Sequence, residues 1–310
     1  MKFVKRALCI AAFALAGPAS ATLLLTDYSG LGTVYQDTVT GGLSNTGGAG
    51  FTDVTVAFKA NVETALNYIQ NAVDIPGYVN TSKVVLADLS GLGLQAGNLF
   101  DGQDAMGRVS SNILQMAIGP GFFIDPTPWE NSEFDMITGV GPVGGTPGVV
   151  TRRFGSNISG LPFWYETDLL SIMLHELLHG MGFTSALGTY NNLRSPNAMI
   201  TVPNVISGFA NAYTAACPDS HCYVVDDNND ASFMNISLFG PATRVLMPDT
   251  EVYLLGTILG ATHDQLNATP NPNSSVPEPG TLLLVSVAAL GLFATKRRRT
   301  TSGGLVPRST

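Results

Sequence analysis

Histidine, cysteine and tryptophan are scarce in this chain, with four, three and two in 310 residues, and positive charge is scarce everywhere except near the two ends. Residues 22–275 carry 7 Lys or Arg against 22 Asp or Glu, a net charge of about 7 − 22 = −15. With no basic cluster there, a phosphate backbone finds nothing to bind, and nucleic acid is excluded as a partner. An acidic surface of this kind serves solubility. Cys9 sits in the first 21 residues, which leaves Cys217 and Cys222 as an even pair. In an oxidising compartment they read as a disulfide closing a small loop, with metal ligation by the two thiolates as the alternative. No cysteine between Cys9 and the middle of the chain is available for a cysteine-switch propeptide. Any imidazole site must draw on His175, His179, His221 and His263. Internal repeats are absent.

Both ends carry addressing patterns. Lys2, Lys5 and Arg6 precede an apolar run from Ala7 to Ala16 and the small-residue triplet Ala19-Ser20-Ala21. That order is a secretory signal over residues 1–21, with cleavage expected near Thr22. Toward the other end, Val276-Pro277-Glu278-Pro279-Gly280 precedes TLLLVSVAALGLFAT and the cluster Lys296 to Arg299. An apolar run of about 15 residues falls short of the ~20 that a free-standing transmembrane helix wants. The basic cluster fits a stop at the cytoplasmic face. Pro-Glu-Pro, apolar helix and arginine cluster, in that order, resemble the PEP-CTERM sorting signal of Gram-negative bacteria. The resemblance implies transient membrane retention through that helix, processing by an exosortase-type enzyme, and release to the cell surface or extracellular matrix. Residues 300–310 contain a thrombin-type cleavage sequence and read as an appended tag.

Residues 22–270 remain as the expected domain, with subdomains of about 22–183 and 184–270, followed by a linker and sorting segment over 271–299. That length supports a real core. Val56, Ala60, Ala65, Leu66, Ile69 and Val73 recur near a 3.6-residue period, so a helix is expected up to Val73, stopped by Pro76-Gly77. Lys83 to Leu89 reads as a strand, and Met106 to Ile118 as a second helix. Phe134 to Val140 and Val149 to Phe154 are short strand candidates. A helix is expected from about Thr167 to Gly180, then an irregular half rich in Asn, Pro and Gly, ending in an apolar segment from Val252 to Leu259. This is an α+β plan with the helix that carries two of the four histidines in the middle.

That helix reads TDLLSIMLHELLHGMGF. His175 and His179 are four apart, so their side chains stack on one face and two imidazoles can reach one ion. Glu176 is rotated about 100° from His175, close enough to hold a water beside the metal without ligating it. Gly180 and Gly182 mark the helix end and allow a sharp turn. As an ordinary buried helix, the segment would have to hide two histidines and a carboxylate among Leu, Ile and Met, at a cost of roughly several kcal/mol.

H-E-L-L-H-G-M-G-F resembles the zincin metallopeptidases, most of all the branch with an HExxHxxGF helix that includes leishmanolysin and secreted bacterial relatives. The resemblance implies one catalytic Zn2+ held by His175 and His179, with Glu176 as general base. It also implies an active helix under a mixed sheet whose edge strand binds substrate in extended form, with Phe134 to Val140 as the candidate strand. The compact branch has a third ligand where this chain has Ser185. The leishmanolysin-like branch has a later Ser-His followed by Leu-Met-x-Pro. Leu246-Met247-Pro248 is present, but Ser232-Phe233 stands where that histidine would fall.

The third ligand is therefore sought in His221, which follows Ser220 inside the Cys217–Cys222 loop. His263 and the carboxylates Asp226, Asp227, Asp230 and Glu251 are alternatives. The run Asp226 to Asp230 also fits a calcium-binding or simply solvated loop. Met247 is either a turn methionine under the metal or a core residue, and Tyr223 and Tyr253 are candidate donors to an oxyanion. The expected function is a zinc endopeptidase acting on protein or peptide substrates. The alternative is a non-catalytic surface or exopolysaccharide-matrix protein with a degenerate metallopeptidase domain.

Overall fold

The structure, a computed structural model, describes residues 22–89, 96–103, 109–119, 121–130, 134–138, 150–154, 167–184, 188–194, 196–224, 234 and 243–267. All belong to the unit Met1–Ser274; the second unit, Ser275–Thr310, and the expected signal at 1–21 lie outside them. The chain enters as β1 (Leu23–Asp27) and makes a small antiparallel sheet from β2 (Tyr35–Asp37), β3 (Leu43–Ser44) and β4 (Phe51–Asp53). It then runs through α1 (Thr55–Ala72) and returns as β5 (Val79–Ala87), parallel to β1 with Leu23 opposite Val79. The expected first helix and first strand are both present. The helix buries Phe58, Val62, Ala65, Leu66 and Ile69 along one face.

Next come β6 (Ala96–Gln103) and β7 (Val109–Ala117), paired antiparallel, with β7 parallel to β5. The strand order is β1-β5-β7-β6, a mixed sheet with β6 as its antiparallel edge. Here the expected helix from Met106 to Ile118 is corrected to a strand. Asn112, Leu114 and Met116 are buried while Ile113 and Gln115 are partly exposed, a two-residue period that the apolar count alone did not separate from a helical one. Val109-Ser110-Ser111-Asn112 is also a run of weak helix formers, so local propensity offers the helix no help.

β8 (Phe122–Phe123) pairs in parallel with β11 (Thr167–Asp168), and between them β9 (Phe134–Thr138) and β10 (Val150–Phe154) pair antiparallel. Both short strand candidates are thus strands over their described residues. The central helix α2 (Leu169–Met181) follows directly and packs against α1, β6 and β7. Asp168 caps it, accepting from the backbone N–H of Ser171 at 3.0 Å and from its hydroxyl at 2.7 Å. At the other end Gly182 has φ +137°, which a side chain would resist, and the amides of Gly182 and Phe183 close back onto His179 and Leu178.

The second half is more ordered than its composition suggests. α3 (Gly188–Leu193) leads to the antiparallel sheet of β12 (Met199–Val202), β13 (Tyr213–Ala216) and β14 (Tyr223–Val224), with the short helix α4 (Asn204–Ser207) between the first two. β15 (Thr243–Val245) joins β10, and the apolar C-terminal segment is α5 (Asp249–Leu259). The protein is a mixed α/β chain with several sheets and helices, as the α+β plan anticipates at that level. Among the described residues no helix is long and apolar enough to cross a membrane.

One buried polar chain ties sheet to helix. Asn112 donates to Asn80 Oδ1 at 2.9 Å, and Asn80 Nδ2 donates to the carbonyl of Gly180 at 3.0 Å. That carbonyl lies in the last turn of α2, where the helix supplies no partner. Asn80→Leu would orphan a donor and an acceptor in the core. A loss of about 2 kcal/mol is expected by urea denaturation; an unchanged midpoint would show that water replaces the amide.

Candidate metal centre

α2 stacks His175 above His179, as the four-residue spacing requires. Their rings meet edge to face with centroids 4.7 Å apart, and the two Nε2 atoms are 3.1 Å apart. Two nitrogens on one tetrahedral zinc, with bonds of about 2.0–2.1 Å, would be about 3.4 Å apart, so the pair already has the spacing of shared ligands. The turn at Gly182 swings the Phe183 carbonyl back to the ring: His179 Nδ1–H donates to it at 2.6 Å. This fixes the proton on Nδ1 and leaves the Nε2 lone pair facing His175. Burial pushes the His179 imidazole down to about 4, outweighing the Phe183 hydrogen bond that favours the charged form. The ring is neutral at physiological pH, the state a metal needs.

His221 arrives from the other half of the chain. Its ring stacks on His175 with centroids 5.5 Å apart and meets His179 edge to face at 5.0 Å. One ligand atom from each of the three lies within 4.8 Å of the other two. Cys217 and Cys222 form the disulfide, closing the loop that carries His221. The loop is tied down further: the Tyr190 hydroxyl donates to the Asp219 carbonyl at 2.8 Å, and Arg194 donates to the Pro218 carbonyl. Within it, Asp219 Oδ1 accepts from the His221 amide at 2.7 Å and lies 3.0 Å from His221 Nδ1. Burial alone would raise the Asp219 carboxyl; the hydrogen bonds from His221 hold it below the usual carboxylate range.

Replacing both cysteines by serine opens a loop whose ends are five residues apart. The chain-entropy relation for so short a loop gives an expected loss of about 2 kcal/mol, read by thermal melting in oxidising buffer. A variant melting like the wild type would show that Tyr190 and Arg194 alone hold the loop.

Glu176 keeps some solvent access on the next helical face, and burial pushes its carboxyl up to about 7. Among the described residues, His263 and Glu251 do not belong to this group of three. His263, in the turn after α5, donates Nδ1–H to the Ile206 carbonyl at 2.8 Å and stacks on Tyr253, which also packs on Phe209. Glu251 is buried at the start of α5, and its Oε1 accepts from the Met234 amide at 3.5 Å. Met247 is buried in the core, and its carbonyl accepts from Tyr68 of α1 at 3.2 Å. Asp226, Asp227, Asp230, Ser185, Ser232, Phe233 and the Tyr223 side chain lie outside the described residues. The substrate-strand candidate, Phe134 to Val140, is described over Phe134–Thr138. Its described part, Phe134–Thr138, is the edge of the β15-β10-β9 sheet rather than of the sheet beside α2.

Sequence reasoning missed the partners of the histidines. The Phe183 carbonyl is the last residue of the motif and Asp219 stands two before His221, so an Asx turn was the one local signal for the latter. It also missed Arg244, Asp125 and Asp168, three wholly buried charged groups joined at the start of α2.

Residues 275–299 match the PEP-CTERM protein-sorting motif. The motif implies processing by an exosortase-type enzyme and indicates export to the cell surface of a Gram-negative bacterium. No curated protein matches the chain.

Proposed function

We propose that the chain is an exported zinc-dependent endopeptidase in which His175, His179 and His221 are the ligands and Glu176 is the general base. The observation that carries this reading is the group of three imidazoles, with ligand atoms within 4.8 Å of one another, built on a helix that also bears Glu176. The donor set fits the ion. Three nitrogen donors suit zinc, whereas calcium and magnesium want oxygen. Three protein ligands leave the fourth tetrahedral position open, as catalytic zinc sites do. Bound there, zinc would supply Lewis acidity, polarising a carbonyl and lowering the pKa of water to about 7.

The remaining work belongs to the chain. Glu176 takes a proton from the attacking water and delivers it to the leaving amine nitrogen; its burial, which raises the carboxyl, makes it a stronger base. Phe183 and Asp219 keep the protons of His179 and His221 on Nδ1. The mixed sheet beside α2 supports the zincin likeness. Its antiparallel edge strand β6 packs on α2, and among the described residues no strand covers its outer side. A peptide adding to that edge by main-chain hydrogen bonds would lie extended alongside the helix. We therefore assign substrate binding to Ala96–Gln103, in place of Phe134 to Val140.

The test is zinc content per chain together with casein cleavage by the wild type and by Glu176→Ala. One zinc per chain and cleavage by the wild type alone are expected. A wild type that binds no zinc, or two proteins that cleave alike, would sink the reading. A zinc-loaded but inert wild type would return the protein to the non-catalytic surface class.

A further inference from the structure

The least explained contact around the three histidines is the one Asp219 makes. A single carboxylate oxygen accepts from both the backbone N–H and the ring Nδ1–H of the same residue, His221, two positions on. The backbone bond is an Asx turn and fixes the main chain at His221. The ring bond selects the tautomer and the side-chain rotation, so Nε2 is the atom left for a ligand. The Asp219 main chain is in turn held from outside the loop by the Tyr190 hydroxyl, and the neighbouring Pro218 carbonyl by Arg194, which packs over the Tyr190 ring. Disulfide and α3 thus set the loop, the loop sets Asp219, and Asp219 sets the imidazole.

This matters most for His221, because the other two rings are held by α2. His221 comes from a loop after β13, and its side chain is 34% exposed. Without a partner its imidazole is free to choose either tautomer and to swing toward solvent.

We infer that Asp219 is the positioning residue of the third ligand, orienting His221 with its ring proton on Nδ1 and its Nε2 as the ligand atom, so that the metal affinity of the site depends on a carboxylate that never touches the ion. The inference rests on the proposed three-histidine zinc site. Outer partners of this kind are worth about 10–100-fold in metal affinity.

The test uses the full chain, titrated with Zn2+ against a competing chelator and with Co2+ followed by visible absorption, for the wild type, Asp219→Ala, Asp219→Asn and His221→Ala. Asp219→Ala is expected to weaken Zn2+ binding about 10–100-fold and to reduce or shift the tetrahedral Co2+ bands. Asp219→Asn, whose amide oxygen still accepts both N–H groups, is expected to recover most of the affinity and the wild-type band shape. This rescue is a readout that mere loop stability would not supply, and circular dichroism checks that each variant is folded. If His221→Ala binds weakly while Asp219→Ala binds like the wild type with the same Co2+ spectrum, the Asp219 inference is overturned and the zinc site stands. If the wild type binds no Zn2+, or His221→Ala binds as the wild type does, the three-histidine site itself is overturned.

Discussion

Glu176→Gln is expected to abolish peptide cleavage while leaving the zinc content of the protein unchanged. The substitution keeps the size and shape of the side chain, so α2, with its buried Leu177 and Leu178 neighbours, has no reason to repack. What it removes is the ability to take a proton. A positioned general base contributes roughly 10²–10⁴-fold. Glu176 is assigned both the proton taken from water and the proton given to the amine, so the upper part of that range is expected in kcat/KM on a quenched fluorescent peptide. The proposed ligands are three imidazoles and Glu176 is not one of them, so metal content should stay at one ion per chain by atomic absorption. Loss of zinc together with activity would mean that Glu176 holds the ligands in place rather than moving a proton. Activity within tenfold of the wild type would remove it from the mechanism.

The parts of this protein that sequence made legible are those governed by short-range rules. α1 and α2 announce themselves through a sustained 3.6-residue period and, at α2, through the spacing of two histidines and a glutamate on an otherwise apolar helix. β7 was misread because Val109, Ile113, Leu114, Met116 and Ala117 satisfy either period; only burial on the sheet, with Asn112, Leu114 and Met116 turned inward, decides between them. The small strands β2, β3 and β4 are two or three residues long, too short for any period to show. At the site, His221 was one of several third partners that the sequence left open, beside His263 and four carboxylates, while Asp219 was not among them, since its role is defined by which ring nitrogen it meets. Arg244 was less legible still. A single arginine between Thr243 and Val245 reads as surface charge until the chain brings two acidic residues, one of them 76 positions earlier, against it.

That arginine carries the largest stability effect expected in the protein. Arg244 is wholly buried in β15, as are its partners: it pairs with Asp168 at 2.7 Å and Asp125 at 2.9 Å. Its Nε donates to Asp168 at 3.0 Å and its Nη1 to the Glu130 carbonyl at 3.2 Å. Burial would lower its pKa, but Asp168 and Asp125 outweigh that and raise it, so the guanidinium stays charged at every accessible pH. Asp168 is at the same time the N-cap of α2, and Ser171 of the same turn donates its amide and hydroxyl to Asp168 and accepts from the amide of Val245. The cluster therefore fixes where α2 begins, about two turns before His175. Arg244→Met keeps an apolar stem of similar length and strands two carboxylates in the core. Breaking a buried pair from one side costs about 3–5 kcal/mol. For a domain of this size that corresponds to a melting temperature lower by about 10 °C. Adding Asp125→Asn and Asp168→Asn to Arg244→Met removes the stranded charges, and Asn still serves as a cap. The triple variant is expected to recover part of the loss. If Arg244→Met melts within about 2 °C of the wild type, the loss is below about 1 kcal/mol, and the three charges do not hold α2 in place. If the triple variant is no better than the single one, the cost lies in lost packing around the guanidinium rather than in unpaired charge.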